Sequence, residues 1–153
     1  METQVMNKQV LINKPSKAFR MASVAMLVAG VAAFLIGLAN ATMQLNEKGY
    51  YLAVLLFGLF SFVSLQKTIR DKMEGQTISK PYFMMCWAAA GSAIALLTVG
   101  LVNAELLLSE KGFYAMAFLL SGFAAITVQK NVRDVMALGD DEVSADTDIE
   151  VQS

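Results

Sequence analysis

Charged residues drop out of this chain over four long intervals. No Asp, Glu, Lys or Arg occurs in Met21 to Asn46, Gly49 to Gln66, Pro81 to Ala104 or Gly112 to Gln129. A helix needs about 20 predominantly apolar residues to cross a bilayer, with a range of roughly 17 to 25. Each interval is long enough. Four such runs leave too little polar surface to cover them in a soluble domain of this size. The pattern therefore predicts four transmembrane helices, in the order long, short, long, short.

The pattern is also written twice. Gly37 to Asp71 aligns with Gly100 to Asp134 without a gap, at an offset of 63, and 15 of the 35 aligned pairs are identical. The shared strings are Gly37-Leu38, Asn40-Ala41, Glu47-Lys48-Gly49 and Gln66-Lys67-x-x-Arg70-Asp71, each with its partner 63 positions on. Self-similarity at a fixed offset marks a structural unit used twice. Each unit reads as a long helix, a tight turn and a shorter helix. The turns are placed at Asn46-Glu47-Lys48-Gly49 and Ser109-Glu110-Lys111-Gly112. Asn and Ser suit helix N-caps and Gly a left-handed helix end. Tyr50, Tyr51, Phe113 and Tyr114 follow the turns at the depth of an aromatic belt, with Phe19, Tyr82 and Phe83 toward the other interface. The expected fold is an all-α membrane protein: four transmembrane helices as two tandem helical hairpins, related by a pseudo-two-fold along the membrane normal.

Charge sets the expected orientation. Lys8, Lys14, Lys17, Arg20, Lys67, Arg70, Lys72, Lys80, Lys130 and Arg133 fall on one side of that scheme, and only Lys48 and Lys111 on the other. Lys and Arg mark the cytoplasmic side, so both termini and the middle loop are expected there. Five stretches follow: a polar, mostly disordered N-terminal tail over 1–17, membrane repeats over 18–72 and 81–135, a cytoplasmic loop over 73–80, and an acidic disordered tail over 136–153. The first apolar run, ending at Ala39-Asn40-Ala41, superficially resembles a signal peptide. It is too long for one, and Val102-Asn103-Ala104 stands at the same place in the second unit, so no cleavage is expected.

Composition narrows the chemistry. The chain is 56% hydrophobic and 16% charged, against about 25% charged in soluble domains, and its net charge of −1 suggests no nucleic-acid partner. It has no His and one Cys, Cys86. Usual nitrogen and sulfur ligand sets for metals are missing, and no metal or cofactor is expected. There is no His base, no carboxylate pair within a span and no Gly-rich phosphate loop. An enzyme is not expected.

Three features remain as candidates. Asn40 and Asn103 lie inside apolar runs, where an amide seeks an interhelical hydrogen bond; pairing across the pseudo-two-fold would supply one. Small residues recur every four positions at Ala25, Ala29, Ala33, Gly37 and Ala41, and at Ala88, Ser92, Gly100 and Ala104, a spacing that lets backbones approach. These stripes are expected to pack the two long helices together inside the bundle, the alternative being a dimer seam. The twin endings place Lys67 and Arg70, and Lys130 and Arg133, near one helix face. There they would meet anionic headgroups or a cytoplasmic partner, beyond anchoring the helices. Glu105 has no acidic counterpart, since Thr42 holds the matching place.

At the repeated N-A-x(3)-L-x-E-K-G-[YF]-Y and Q-K-x-[IV]-R-D strings the chain resembles the YiaA/YiaB family of small bacterial inner-membrane proteins. The match covers residues 20 to 134. The resemblance implies a two-helix membrane unit present twice and a bacterial inner (plasma) membrane location. It carries over no activity. Thr42 departs from the acidic residue expected there, which limits any role for that carboxylate to the second unit. The function expected from residues and resemblance together is a non-enzymatic integral membrane protein acting through assembly or partner and lipid contact. Its partners would be membrane lipids and a second copy or another membrane protein. The alternative is a small transporter or channel for a neutral or weakly polar solute, lined by Asn40, Asn103, Ser61, Thr98, Ser121 and Thr127.

Overall fold

A computed structural model describes residues 14–151, with side chains through Leu138. The tail expected over 1–17 lies mostly outside the described residues. Four helices follow in order: α1 (Lys17–Asn40), α2 (Leu45–Met73), α3 (Lys80–Asn103) and α4 (Leu108–Val151). All four are long and apolar enough to cross a membrane, α4 through Leu108–Leu138. No strand occurs among the described residues.

The expected order of lengths is inverted. α1 and α3 have 24 residues each, while α2 has 29 and the apolar part of α4 has 31. Uncharged intervals measure the hydrocarbon crossing, not the helix. Glu47 and Lys48 sit in the first turn of α2 rather than in a loop, and α2 continues through Lys67 and Asp71, where i,i+4 pairing supports it. The chain reverses earlier, at Ala41–Gln44 and Ala104–Leu107. The helix-start residues are Gln44 and its counterpart Leu107, whose backbone N–H groups donate to Glu47 (2.9 Å) and Glu110 (2.8 Å). The Glu of each E-K-G string thus caps its own helix. The Lys reaches back to the preceding one: Lys48 Nζ donates to Ala39 O at 2.9 Å and Lys111 Nζ to Val102 O at 3.2 Å. These bonds serve carbonyls that a helix C-terminus leaves without intrahelical partners.

Elsewhere the helix ends follow local rules. Ser16 caps α1 by accepting from Phe19 N. Pro81 stands in the first turn of α3, where a missing N–H costs nothing. α2 ends at Met73 with Glu74 as its cap, followed by Gly75 with φ +80°, the left-handed conformation that favours glycine. α4 runs on to Val151 through the stretch expected to be a disordered tail. Beyond Leu138 the segment holds no proline, and a single glycine, Gly139, does not stop it.

The two helices of one unit scarcely touch. α1 packs along α4, α2 packs along α3, and α2 meets α4 between them. The local cause is the extended backbone of the short loops: Ala41 (φ −67°, ψ 143°) and Gln44 (φ −67°, ψ 155°) splay α1 from α2, and Ala104 (φ −71°, ψ 142°) does so for α3 and α4. Each unit therefore buries its first helix against the second helix of the other. The buried face of α1 is Ser23, Gly30, Phe34 and Leu38; that of α3 is Cys86, Ala93, Leu97 and Leu101 with Ala90. Each member of the first set lies 63 residues before its match.

This packing corrects the reading of the small-residue stripes. Ala25, Ala29, Ala88 and Ser92 are exposed, and Ala33, Gly37 and Gly100 only half-buried. The stripes do not hold α1 to α3. At their far ends Gly37 and Gly100 have another use: a Cβ on Gly37 would meet Phe113 Cε1 at 2.7 Å, and one on Gly100 would meet Tyr50 Cε1 at 2.7 Å. Tyr51 and Tyr114 stack between them, ring centroids 6.1 Å apart. Below lie the fully buried Phe34, Phe118 and Leu55. Large apolar side chains such as Met21, Phe60, Met84 and Phe123 cover the outside, as expected where the solvent is lipid.

Candidate functional site

Where the end of α2 lies beside α4, the twin Gln-Lys-x-x-Arg-Asp strings interlock. Arg70 Nη1 reaches Asp134 Oδ1 at 2.6 Å, and Arg133 Nη2 donates to Asp71 Oδ1. Each Asp also takes the Lys one turn before it: Lys67 Nζ to Asp71 Oδ2 at 2.7 Å, Lys130 Nζ to Asp134 Oδ2 at 2.9 Å. Glu74 joins both halves, accepting from Arg70 Nε at 2.8 Å and Arg133 Nη2 at 2.9 Å. Four cations thus share three carboxylates. The Asp and Arg side chains are largely covered, at 10% and 14% exposure for Asp71 and Asp134, while Lys67 and Lys130 stay 60% and 54% exposed. The two arginines hold the Glu74 carboxyl below the usual glutamate range, Arg70 by its hydrogen bond first.

One turn deeper a second reciprocal layer joins the helices. Asn131 Nδ2 on α4 donates to Ser23 Oγ on α1 at 3.1 Å. At the matching place Thr68 on α2 meets Cys86 Sγ on α3 at 3.4 Å. Thr68 already donates to Ser64 O at 2.7 Å, so the thiol is the donor. Gln66 Oε1 and Gln129 Oε1 are buried with no hydrogen-bond partner.

The residues expected to make sites fall differently from expectation. Lys67, Arg70, Lys130 and Arg133 do come together, but the two arginines are spent on carboxylates of the opposite unit. They are not two separate cationic clusters. The reason is the adjacency of Arg and Asp: neighbours in a helix cannot face one another, so each finds its partner across the seam. Asn40 and Asn103 do not pair with each other. Their Nδ2 groups donate to Ile36 O and Val99 O, both at 2.8 Å, one turn back in their own helices. Each amide folds back onto its own helix end, one turn inside the Ala39 and Val102 carbonyls that the lysines serve. The residues suggested to line a polar path also turn inward on their own helices: Ser61 to Phe57 O, Ser121 to Ala117 O, Thr98 to Ile94 O and Thr127 to Phe123 O. Thr98 and Asn103 are exposed, while Ser61 and Ser121 are fully buried.

Glu74 was not singled out from the sequence, because nothing 63 residues on repeats it; Ala137 stands there. The Ser23–Asn131 and Cys86–Thr68 pairs escaped for the same reason, since their residue types differ between units. The Arg-Asp exchange left a readable signal. Two identical Arg-Asp doublets at one end of a bundle can satisfy one another only crosswise.

Comparison with known proteins gives the same division of the chain. The yiaA/B two helix domain matches it twice, over residues 19–71 and 82–134. The chain is 57% identical over 123 residues to "Inner membrane protein YiaA" of Escherichia coli (strain K12), which covers 80% of this chain and 85% of that one. It is 47% identical over 51 residues to "Uncharacterized membrane protein YubF" of Bacillus subtilis (strain 168), covering 33% of this chain and 59% of that one. No solved structure matches it. The domain boundaries enclose both loops, both capping Glu-Lys pairs and both Arg-Asp doublets, and with two full copies of the unit the chain belongs to the YiaA/B two-helix-domain family.

Proposed function

We infer that this chain is a multi-pass inner-membrane protein with both termini cytoplasmic, and that it acts without catalysis, through assembly and contact with lipids or a second membrane protein. Its two units form an intrachain pair about a pseudo-two-fold along the membrane normal. The observation that carries this reading is the reciprocal ion-pair cluster. Its charged groups are engaged with one another across the seam between units, which is a structural use of charge. Reciprocity at an offset of 63 recurs in the helix caps, the Gly37–Phe113 and Gly100–Tyr50 contacts and the polar layer beneath the cluster. The relative from Escherichia coli is named for the inner membrane. The Lys and Arg bias supports placing the ion-pair end in the cytoplasm.

Two measurements test it. A periplasm-dependent reporter should be silent at the C-terminus and active when inserted after Lys48 or Lys111; the reverse pattern contradicts the orientation. Extraction into native-like lipid particles, followed by mass spectrometry of the intact assembly, should show retained lipid together with a second copy or a partner membrane protein. A bare monomer would contradict the assembly reading.

A further inference from the structure

Two grooves flank the ion-pair cluster, and they differ in charge. The larger, about 880 Å³, runs between the end of α2 and the facing part of α4 past Phe62, Gln66, Ile69, Arg70, Glu74 and Lys130. The smaller, about 410 Å³, is lined by Lys67, Gln129, Val132, Arg133 and Met136. Every residue of the smaller groove has a counterpart in the larger at an offset of 63. The larger extends further and is the acidic one: Glu74 and Asp134 line it, and no carboxylate lines the smaller among the described residues.

Depth orders the chemistry of the larger groove. Glu74 is outermost, 42% exposed. One turn in lie Arg70 and, from α4, the half-exposed Lys130, two cations that share the more covered Asp134 between them. Another turn in, about 12 Å from Glu74 along the helix, is Gln66 with its unpartnered amide oxygen. Beyond it the wall is apolar, with Phe62, Leu65 and Ile126. The sequence is acid, base, amide, hydrocarbon, read from the membrane surface inward.

We propose that this groove seats a phospholipid whose headgroup carries a primary ammonium, the chemistry of phosphatidylethanolamine. The proposal rests on the lipid-contact reading above and gives that contact a chemical class. The ammonium donates to the Glu74 carboxylate, which still has lone pairs beyond its two arginine bonds. The phosphate accepts from the N–H groups of Lys130 and Arg70 that their bonds to Asp134 and Glu74 leave over. Gln66 stands at the depth of the glycerol esters. The acyl chain follows Phe62 and Ile126. A choline headgroup has no N–H to give Glu74, and a glycerol headgroup brings no positive charge to it.

The test uses the full chain in mild detergent, offered equal amounts of phosphatidylethanolamine, its mono- and dimethylated forms, phosphatidylcholine and phosphatidylglycerol with the same acyl chains. Retention is read by native mass spectrometry. The ethanolamine lipid should be kept roughly tenfold over the choline lipid, a charge-assisted hydrogen bond being the difference. The preference should fade with each methyl group and vanish in Glu74→Gln. The methylation series needs no variant, so it stands even if Glu74→Gln folds poorly. Equal retention of the ethanolamine and choline lipids, or dominance of the glycerol lipid, would overturn the headgroup assignment and leave general lipid contact standing. Retention of no lipid at all would sink both.

Discussion

At the charged end the two units carry the same residues: Gln66, Lys67, Arg70 and Asp71 repeat as Gln129, Lys130, Arg133 and Asp134. In the packed middle they do not. Leu55 matches Phe118, Gly58 matches Ser121, and Ser61 matches Ala124, though all six are buried. The difference follows from what each region must satisfy. An ion pair needs a given group at a given distance, and a reciprocal pair needs it twice. A packed centre needs only that volumes add up. Gly58 shows this directly: a Cβ there would collide with the Phe118 ring, so the larger residue of one unit lies against the smallest of the other. Between these two regions, identity goes with the reciprocal ion pairs and difference with packing by complement.

The comparison breaks most severely at the carboxylates. Asp71→Ala leaves Arg133 and Lys67 without their partner at a largely covered site, and removing one member of a buried pair costs about 3–5 kcal/mol. The upper end is not expected, because Arg133 keeps Glu74. Unfolding in mixed micelles should shift strongly toward lower denaturant for Asp71→Ala and nearly as far for Asp134→Ala. A loss confined to one of the two would contradict their equivalence.

Close backbone approach comes next. A Cβ on Gly30 would stand 2.7 Å from Ser121 Oγ and 3.0 Å from Ser121 N, so α1 and α4 must separate to admit it. Gly30→Ala should cost about 1–3 kcal/mol, the usual range for overpacking. The control lies on the same helix: Ala25 is exposed, so the larger change Ala25→Leu should leave stability nearly unchanged. Equal losses for the two variants would contradict the close approach at Gly30.

A compensating pair sharpens the contrast in the middle. Gly58→Ala alone should destabilise by about 1–2 kcal/mol, and Phe118→Leu alone by a similar amount through the space it leaves. Together they should cost less than their sum, because the shortened side chain makes room for the new methyl. No comparable exchange is expected to rescue a lost carboxylate at the charged end.

The smallest effect is one of pH. Glu74 titrates below the ordinary glutamate range because Arg70 and Arg133 favour its charged form. A depressed carboxyl contributes stability that is present above its unfolded pKa and is lost as pH falls through the lower folded value. The stability difference between the protein and Glu74→Gln should therefore be constant near neutrality and shrink in acid. A difference that grew as pH fell would contradict the pairing.

These regions also differ in how far the sequence discloses them. Four spans and two units were legible because burial in lipid excludes charge over a fixed length, and the offset of 63 needs no structure to see. Helix ends were not legible from charge. Glu47 and Lys48 look like a loop, yet one caps α2 and the other serves the end of α1. Partner choice was hidden as well. Nothing in the apolar pattern of α1 tells α2 from α4, and the choice is made by loop dihedrals at Ala41 and Gln44 and by the fit of Gly30 to Ser121. The polar layer of Ser23, Cys86, Thr68 and Asn131 pairs unlike residues, so repetition alone does not reveal it.

The claim that the twin Arg-Asp doublets clasp one another is tested most directly by a double-mutant cycle on Arg70→Gln and Asp134→Asn, two side chains on different helices whose charged atoms lie 2.6 Å apart. Unfolding free energies of the protein, both single variants and the double variant in the same mixed micelles give the coupling. Reciprocal pairing predicts a coupling of about 1–3 kcal/mol, with each single change costing more than its share of the double. Additivity within about 0.5 kcal/mol would mean that Arg70 and Asp134 act independently, and the clasp would be wrong.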